Sequence, residues 1–427
     1  MKKRVKAVEK ALECVSTCSS RNKGRLASCF VECYVGGAIR EAYEWIDRLR
    51  DVEEKVVKLY GASAVTYSRE LKSFLDDPRR HLEKKLFIYT HDFIRGRITA
   101  EEYARKALMA INTSLRANLR TIYQDWGFLA LLLRVYREGT RIIYPEHRII
   151  SLERSGRQKL RWIPPNLVID IPGYGSTSLF MEVPRPLAWG DTGDLSRIWS
   201  LYTALRPDMM IYGGRVYDVL DLESNPPIKK PDIIVEFKEL PDWYARKRIV
   251  KGPLAKPLSA EEWRNRWIEG LYTGLADVLG VTREEAMDKL SRKTGVLMDE
   301  VRVVELYRSI YRPRKMFLVS KHLVPGEVRA MLEGHDIIVV DDVGFKAEKL
   351  EPVAKSVLET CVQVEEYIIS TRDKELAEVL ALVKELWEKG VLDKEKIRRL
   401  LIFGLSIELN GSNELEKKQS LTKIKSF

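Results

Sequence analysis

Glutamine is nearly missing from this chain: Gln124, Gln158, Gln363 and Gln419 are the only four among 427 residues. Lys, Arg and Glu are abundant instead, a balance seen in proteins of heat-adapted organisms. Histidine is also sparse. His81, His91, His147, His322 and His335 are scattered with no pair at metal-ligand spacing, so a histidine-metal or histidine-activated nucleophile enzyme is unsupported. No Gly-x-x-x-x-Gly-Lys-[Ser/Thr] loop occurs, which argues against ATP-driven chemistry, and the segment 173–178 reads as a hairpin turn. Long apolar runs are absent too: the stretch 128–133 falls far short of a bilayer span. The basic, amphipathic N-terminus has no continuous apolar stretch of the kind a secretory signal needs. A cytoplasmic protein with no membrane contact is the expectation.

What is present indicates a folded chain with 45% hydrophobic and 32% charged residues, long enough for two or three cores. Net charge is +11, and it is unevenly distributed. Residues 1–150 hold 29 Lys and Arg against 19 Asp and Glu, so nearly all the excess lies in the first third. A polyanionic partner would meet that third first.

Apolar residues recur at three and four through residues 2–140, with breaks at 19–24, 60–63, 76–78 and 95–99. This predicts an all-helical N-terminal domain over 1–140, in which Thr99 and Glu102 form a capping box. A similar plan recurs at 388–401, where Gly390 stops one helix and Asp393 caps the next. From about 142, short β-branched runs separated by Pro and Gly predict strands, and farther on these alternate with helices. The expected fold is α+β multidomain: the helical domain, an α/β domain with a mixed central sheet over 141–350, a helical region over 351–409 and a flexible tail over 410–427.

One predicted strand, 231–238, carries charges inside an apolar run. Asp232, Ile234, Glu236 and Lys238 fall on one face and Ile233, Val235 and Phe237 on the other. A buried Glu and Lys cost several kcal/mol unless they are paired, hydrogen bonded or bound to metal. Asp232 is too far along the strand to share an ion with Glu236, at about 13 Å for a rise of about 3.3 Å per residue. Asp208 begins a second apolar strand, and pairing of the two strands would set it beside Glu236. Asp218, Asp221 and Glu223 lie between the strands, with Asp221 the main competitor. Two carboxylates on adjacent strands suit a hard divalent cation with waters completing its shell. After Lys238, the segment 239–257 joins Arg246, Lys247, Arg248, Lys251 and Lys256 to Trp243 and Tyr244, a composition suited to phosphate contacts and base stacking.

Arg206-Pro207-Asp208 followed by Glu236-Phe237-Lys238 resembles the signature of the PD-(D/E)XK nuclease superfamily, over about residues 180–345. The predicted helices 194–205 and 260–279 also sit where such enzymes often place core helices. The resemblance implies a restriction-endonuclease-like core and hydrolysis of phosphodiester bonds in DNA. It implies Mg²⁺ or Mn²⁺ on Asp208 and Glu236, with Lys238 positioning water or neutralising the transition state. A third acid would come from Glu182 or Asp194. A homodimer would suit double-strand cutting, and a helicase or other DNA-processing partner is compatible with the reading. RNA is an alternative substrate, since this chemistry does not require the 2′-hydroxyl. The rival of another class is a catalytically idle nucleic-acid-binding or scaffold protein, with Glu236 and Lys238 a structural pair.

Four of the five cysteines form two Cys-x-x-x-Cys pairs, Cys14 with Cys18 and Cys29 with Cys33, on either side of a turn. An antiparallel helical hairpin would set Cys14 opposite Cys33 and Cys18 opposite Cys29. The spacing resembles the twin CX3C hairpins of mitochondrial small-protein chaperones, in geometry alone. Two disulfides, a four-cysteine metal or iron–sulfur site, and free buried thiols all fit. Disulfides are admissible inside a heat-adapted prokaryotic cell. Cys361 stands alone and reads as a core residue.

Overall fold

The computed structural model describes residues 2–18, 20, 22–153, 163–183, 206–219, 221, 224, 228–250, 276, 282, 284–285 and 296–363. Met1–Val364 form one compact unit and Glu365–Phe427 a second. The expected helices at 194–205 and 371–407, all of the one at 260–279 except Ala276, and the tail at 410–427 lie outside the described residues.

The helical layer begins where the periodicity predicts it. Helices α1 (Lys2–Thr17), α2 (Lys23–Tyr60), α3 (Arg69–Asp76), α4 (Pro78–Ile94) and α5 (Ala100–Val135) are separated at the expected breaks. Asn22, Ser68 and Asp77 cap the helices that follow them by accepting from Arg25 N, Leu71 N and Arg80 N. Thr99 and Glu102 make both hydrogen bonds of the capping box. Gly61, at φ 56°, closes α2 in a left-handed conformation that costs a residue with a Cβ. One strand interrupts this otherwise helical stretch: β1 (Ala64–Thr66), too short for periodicity to register.

Cys14–Cys33 and Cys18–Cys29 are disulfide-bonded, each with Cα atoms 5.7 Å apart. Of the three alternatives open to the four cysteines, the hairpin disulfides are the one formed. Cys361 is a free, half-buried cysteine, and burial pushes its thiol up to about 12. No helix among the described residues is long and apolar enough to cross a membrane.

The strands continue as β2 (Arg141–Tyr144), β3 (Ile149–Ser151), β4 (Leu167–Ile171), β5 (Gly175–Met181), β6 (Met209–Gly213), β7 (Ile233–Lys238), β8 (Lys247–Val250), β9 (Val296–Asp299), β10 (Lys315–Ser320) and β11 (Ile337–Val340). Seven of them form one mixed sheet in the order β11-β10-β7-β6-β5-β4-β2. From β2 to β7 neighbours run antiparallel, whereas β7, β10 and β11 are parallel. Parallel neighbours need crossovers. Helices α6 (Glu300–Tyr311) and α7 (Gly326–Glu333) lie on the connections into β10 and β11, and α8 (Glu351–Thr360) follows the sheet.

Both faces of this sheet are covered, which is why its central strands read as nearly continuous apolar runs. Val235, Phe237, Met209 and Phe317 join the core made by the long helices, while Ile234, Met210 and Leu318 join a second core with α6. The helical layer and the sheet therefore share one core, and residue 140 marks a change of secondary structure inside the first compact unit.

Helix α5 lies close against the sheet at Gly127, where an added Cβ would lie 2.3 Å from the Phe237 ring. Gly127→Ala is expected to lower stability by about 1–3 kcal/mol, the usual cost of overpacking. Gly37→Ala, in α2 with no atom within 4 Å of its added Cβ, should instead raise stability by roughly 0.5–1 kcal/mol. Guanidinium unfolding midpoints of the two variants measure the difference.

Candidate active site

Antiparallel pairing of β6 with β7 sets Met209 opposite Val235, so Asp208 enters β6 opposite Glu236. The backbone N–H of Asp208 donates to Glu236 Oε2 at 3.1 Å, and the N–H of Phe237 donates to Asp208 Oδ2 at 2.8 Å. Each carboxylate thus satisfies the other strand's backbone where the ladder ends. Lys238 Nζ donates to Glu236 Oε1 at 3.0 Å and to Glu300 Oε2 at 3.1 Å. The charged face predicted for the strand is buried and internally paired. Asp208, Glu236 and Lys238 come together as the sequence predicts, at the carboxyl ends of β7 and β10, where open α/β sheets commonly bind ligands.

Of the two candidates for a third acid, Glu182 lies here. It follows β5, its N–H donates to the Asp208 carbonyl at 2.9 Å, and Arg206 Nη1 approaches its carboxylate at 3.8 Å. Asp194 lies outside the described residues. The competing acids are elsewhere: Asp221 accepts from Ser224 Oγ, and Asp218 from the N–H of Ile163 at 3.0 Å. Glu223 lies outside the described residues. Asp232 accepts from the N–H of Gly213 at 2.9 Å and pairs with Arg314, a strand-entry role.

Three participants went unread in the sequence. Gln124, on α5, donates to Asp208 Oδ1 and fixes that carboxylate from the helical layer. Its signal is visible in retrospect: it is one of four glutamines and opens a nearly all-buried apolar stretch. Glu300 begins α6, where an acid is ordinary in a first turn, so nothing marked it as the partner of Lys238. Lys321 follows β10. Its N–H donates to the Lys238 carbonyl at 2.8 Å and its ammonium lies 4.6 Å from the Trp45 ring centre. Burial holds that ammonium below the ordinary lysine value, against the pull of Glu41 and Glu239.

Within the basic aromatic segment after Lys238, Trp243 plays a different part from the one the segment's composition suggests. Trp243 is buried in the second core and stands 5.7 Å from Lys238 Nζ, and Tyr244 packs edge-on against it. Trp243 thus supports the lysine and is not exposed for base stacking. Arg246 pairs with Asp242. The side chain of Arg248, with Lys251 and Lys256, lies outside the described residues.

Burial is the largest cause of a strong upward shift at Asp208, followed by the repulsion of Glu236, while Lys238 pulls it down and Glu182 adds to the rise. Burial also raises Glu239. The donor set fits a hard divalent cation: the oxygens are carboxylate oxygens on adjacent strands, and each keeps acceptor capacity beyond the hydrogen bond it makes. Among the described residues no three His, Cys, Asp or Glu side chains form a ready metal-holding group. A cation here would therefore rest on Asp208 and Glu236.

Compared with known proteins, the chain matches no family model, no curated protein and no solved structure.

The electrostatics generate a pH dependence. With Asp208 raised, the folded state keeps a proton that the unfolded state releases in the ordinary carboxylate range, so stability falls as pH rises from that range through the raised pKa. In chelator the melting temperature is expected to fall with pH across this window. Asp208→Asn should flatten that fall and raise stability at pH 8 by on the order of 1 kcal/mol. Differential scanning calorimetry across pH, with EDTA present, measures both effects.

Proposed function

We propose that this chain is a metal-dependent nuclease that hydrolyses phosphodiester bonds in DNA. The observation that carries the reading is the placement of Asp208 opposite Glu236 on paired strands, with Lys238 held against Glu236. A mixed sheet with both motif strands at its centre is also what a restriction-endonuclease-like core requires. The basic N-terminal third supplies attraction for a polyanion.

Asp208 and Glu236 would hold Mg²⁺ or Mn²⁺. When bound, such a cation supplies Lewis-acid charge stabilisation at the scissile phosphate and lowers the pKa of water. The protein groups perform the rest. Lys238, fixed between Glu236 and Glu300 and backed by Trp243, presents an ammonium to orient attacking water and to offset charge gained by the phosphate oxygens. Gln124 and the N–H of Phe237 hold the Asp208 carboxylate in one orientation, so little reorganisation is needed when substrate arrives. Glu182 adds negative potential beside Asp208.

Cleavage of single-stranded, duplex and branched DNA, and of RNA, with Mg²⁺ or Mn²⁺ tests the reading. Asp208→Ala and Glu236→Gln are each expected to lower cleavage by roughly 100-fold or more while leaving DNA binding intact. Lys238→Ala should also abolish cleavage. It leaves two buried carboxylates without their shared cation at a cost of about 3–5 kcal/mol, so the shape-preserving Glu236→Gln is the more informative variant. Binding without cleavage in wild type would make the protein an idle binder, and cleavage that survives these substitutions would make the charges of β7 structural and place any catalysis elsewhere.

A further inference from the structure

Helices α3 and α4 enclose a surface cleft of about 590 Å³ away from the carboxylate cluster. Arg69, Lys72, Arg80 and Lys84 line it, facing two acids, Asp76 and Asp77. Asp77 is already engaged, since it caps α4 through the N–H of Arg80 and accepts from Tyr43. The four cations are exposed, and among the described residues none of their side chains has a hydrogen-bond or ion-pair partner. Some other cations of the helical layer do pair with acids, among them Lys55, Arg79, Lys85, Arg97 and Arg105; what sets the four apart is that they gather around one cleft. Glu70, another acid of α3, is taken by Lys85 and His81. Arg69 and Lys72, three residues apart, and Arg80 and Lys84, four apart, repel along their own helices. Asp76 and Asp77 offset part of that repulsion, and the four cations still leave the cleft with an excess of two positive charges that an anion would neutralise.

We infer that the α3–α4 cleft is a phosphodiester-binding site that holds the backbone of a nucleic acid while another part of it lies at the carboxylate cluster. Helix α5 connects the two places. The cleft residue His81 bonds Ser114 of α5 at 3.1 Å, and Gln124, ten residues farther along, bonds Asp208. That separation is about 15 Å along the helix axis at about 1.5 Å per residue. It corresponds to roughly four base steps of a duplex at about 3.4 Å each, the axial length a nucleic acid held at both places would have to span. The cations offer charge and no base-reading geometry, so the cleft fixes position and leaves sequence unread. The choice of nucleic acid over a small phosphate rests on the nuclease reading; the unpaired cations do not.

Fluorescence anisotropy of labelled DNA with the full-length protein in EDTA tests this without cleavage. Lys72→Ala/Lys84→Ala should raise Kd roughly tenfold and flatten the dependence of log K on log salt by about 2, about one for each lost phosphate contact. The control Lys55→Ala/Arg105→Ala makes the same change in cationic charge on the same layer, at side chains already paired, and should leave both quantities near wild type. Equal losses in the two double variants, or none in the first, overturn the proposal. So does calorimetric uptake of inorganic pyrophosphate that needs Lys72 and Lys84 when DNA binding does not. A wild type that binds in EDTA but never cuts with Mg²⁺ refutes the nuclease reading alone. A protein that cuts, and whose cleft variants bind as wild type does, refutes the cleft alone.

Discussion

Glu236 and Lys238 lie on a strand buried on both faces, so their charges must be answered inside the protein. That constraint accounts for much of what surrounds β7. Lys238 reaches both Glu236 and Glu300, which ties the first residue of α6 to the end of the strand. The second oxygen of Glu236 accepts from the backbone of Asp208, which ties the start of β6 to the same point. An isolated ion of either sign would cost several kcal/mol there. The network distributes that cost over three elements, β6, β7 and α6.

The helical layer takes part in the same arrangement. Gly127 lets the backbone of α5 lie on Phe237, one residue from each end of the Glu236-Phe237-Lys238 motif. Tyr123 packs edge-on against Phe237 with ring centres 6.3 Å apart, and Trp126 against Phe345 at 5.1 Å. With α5 fixed by these contacts, Gln124 is held where its amide meets Asp208. Trp45 of α2 meets both Phe345 and the ammonium of Lys321. Displacement of the helices would therefore disturb the carboxylates directly.

The sequence made the elements legible where one local rule governed them. The start of α5 followed from Thr99 and Glu102 as a capping box, and the breaks between helices from Gly, Pro and Ser clusters, whereas the spacing of the cysteines offered the disulfide pairing as one of three alternatives. The approach of Asp208 to Glu236 was legible because strand alternation left a charged face in need of partners. Strand β1 was not legible, because three residues carry no period. Gln124 and Glu300 were hidden for another reason: each is separated from its partner by dozens of residues, and its local pattern has a sufficient ordinary explanation. Trp243 misled because composition counts an aromatic beside basic residues as available, whereas burial decides whether it is.

The internal pairing of Lys238 leaves one group poorly served. Glu236 has the lysine, and Glu182 has Arg206 nearby, but Asp208 is met by amide donors, Gln124 and the N–H of Phe237. Amides stabilise a carboxylate less than a cation does, so burial and the charge of Glu236 prevail and Asp208 holds its proton unusually well. An asparagine would accept from Phe237 with the same shape and without the repulsion, once the Gln124 amide turns to present its oxygen to the new NH2. A cation binding there would displace the proton, turn the repulsion between Asp208 and Glu236 into shared attraction, and recover the energy spent on burying both.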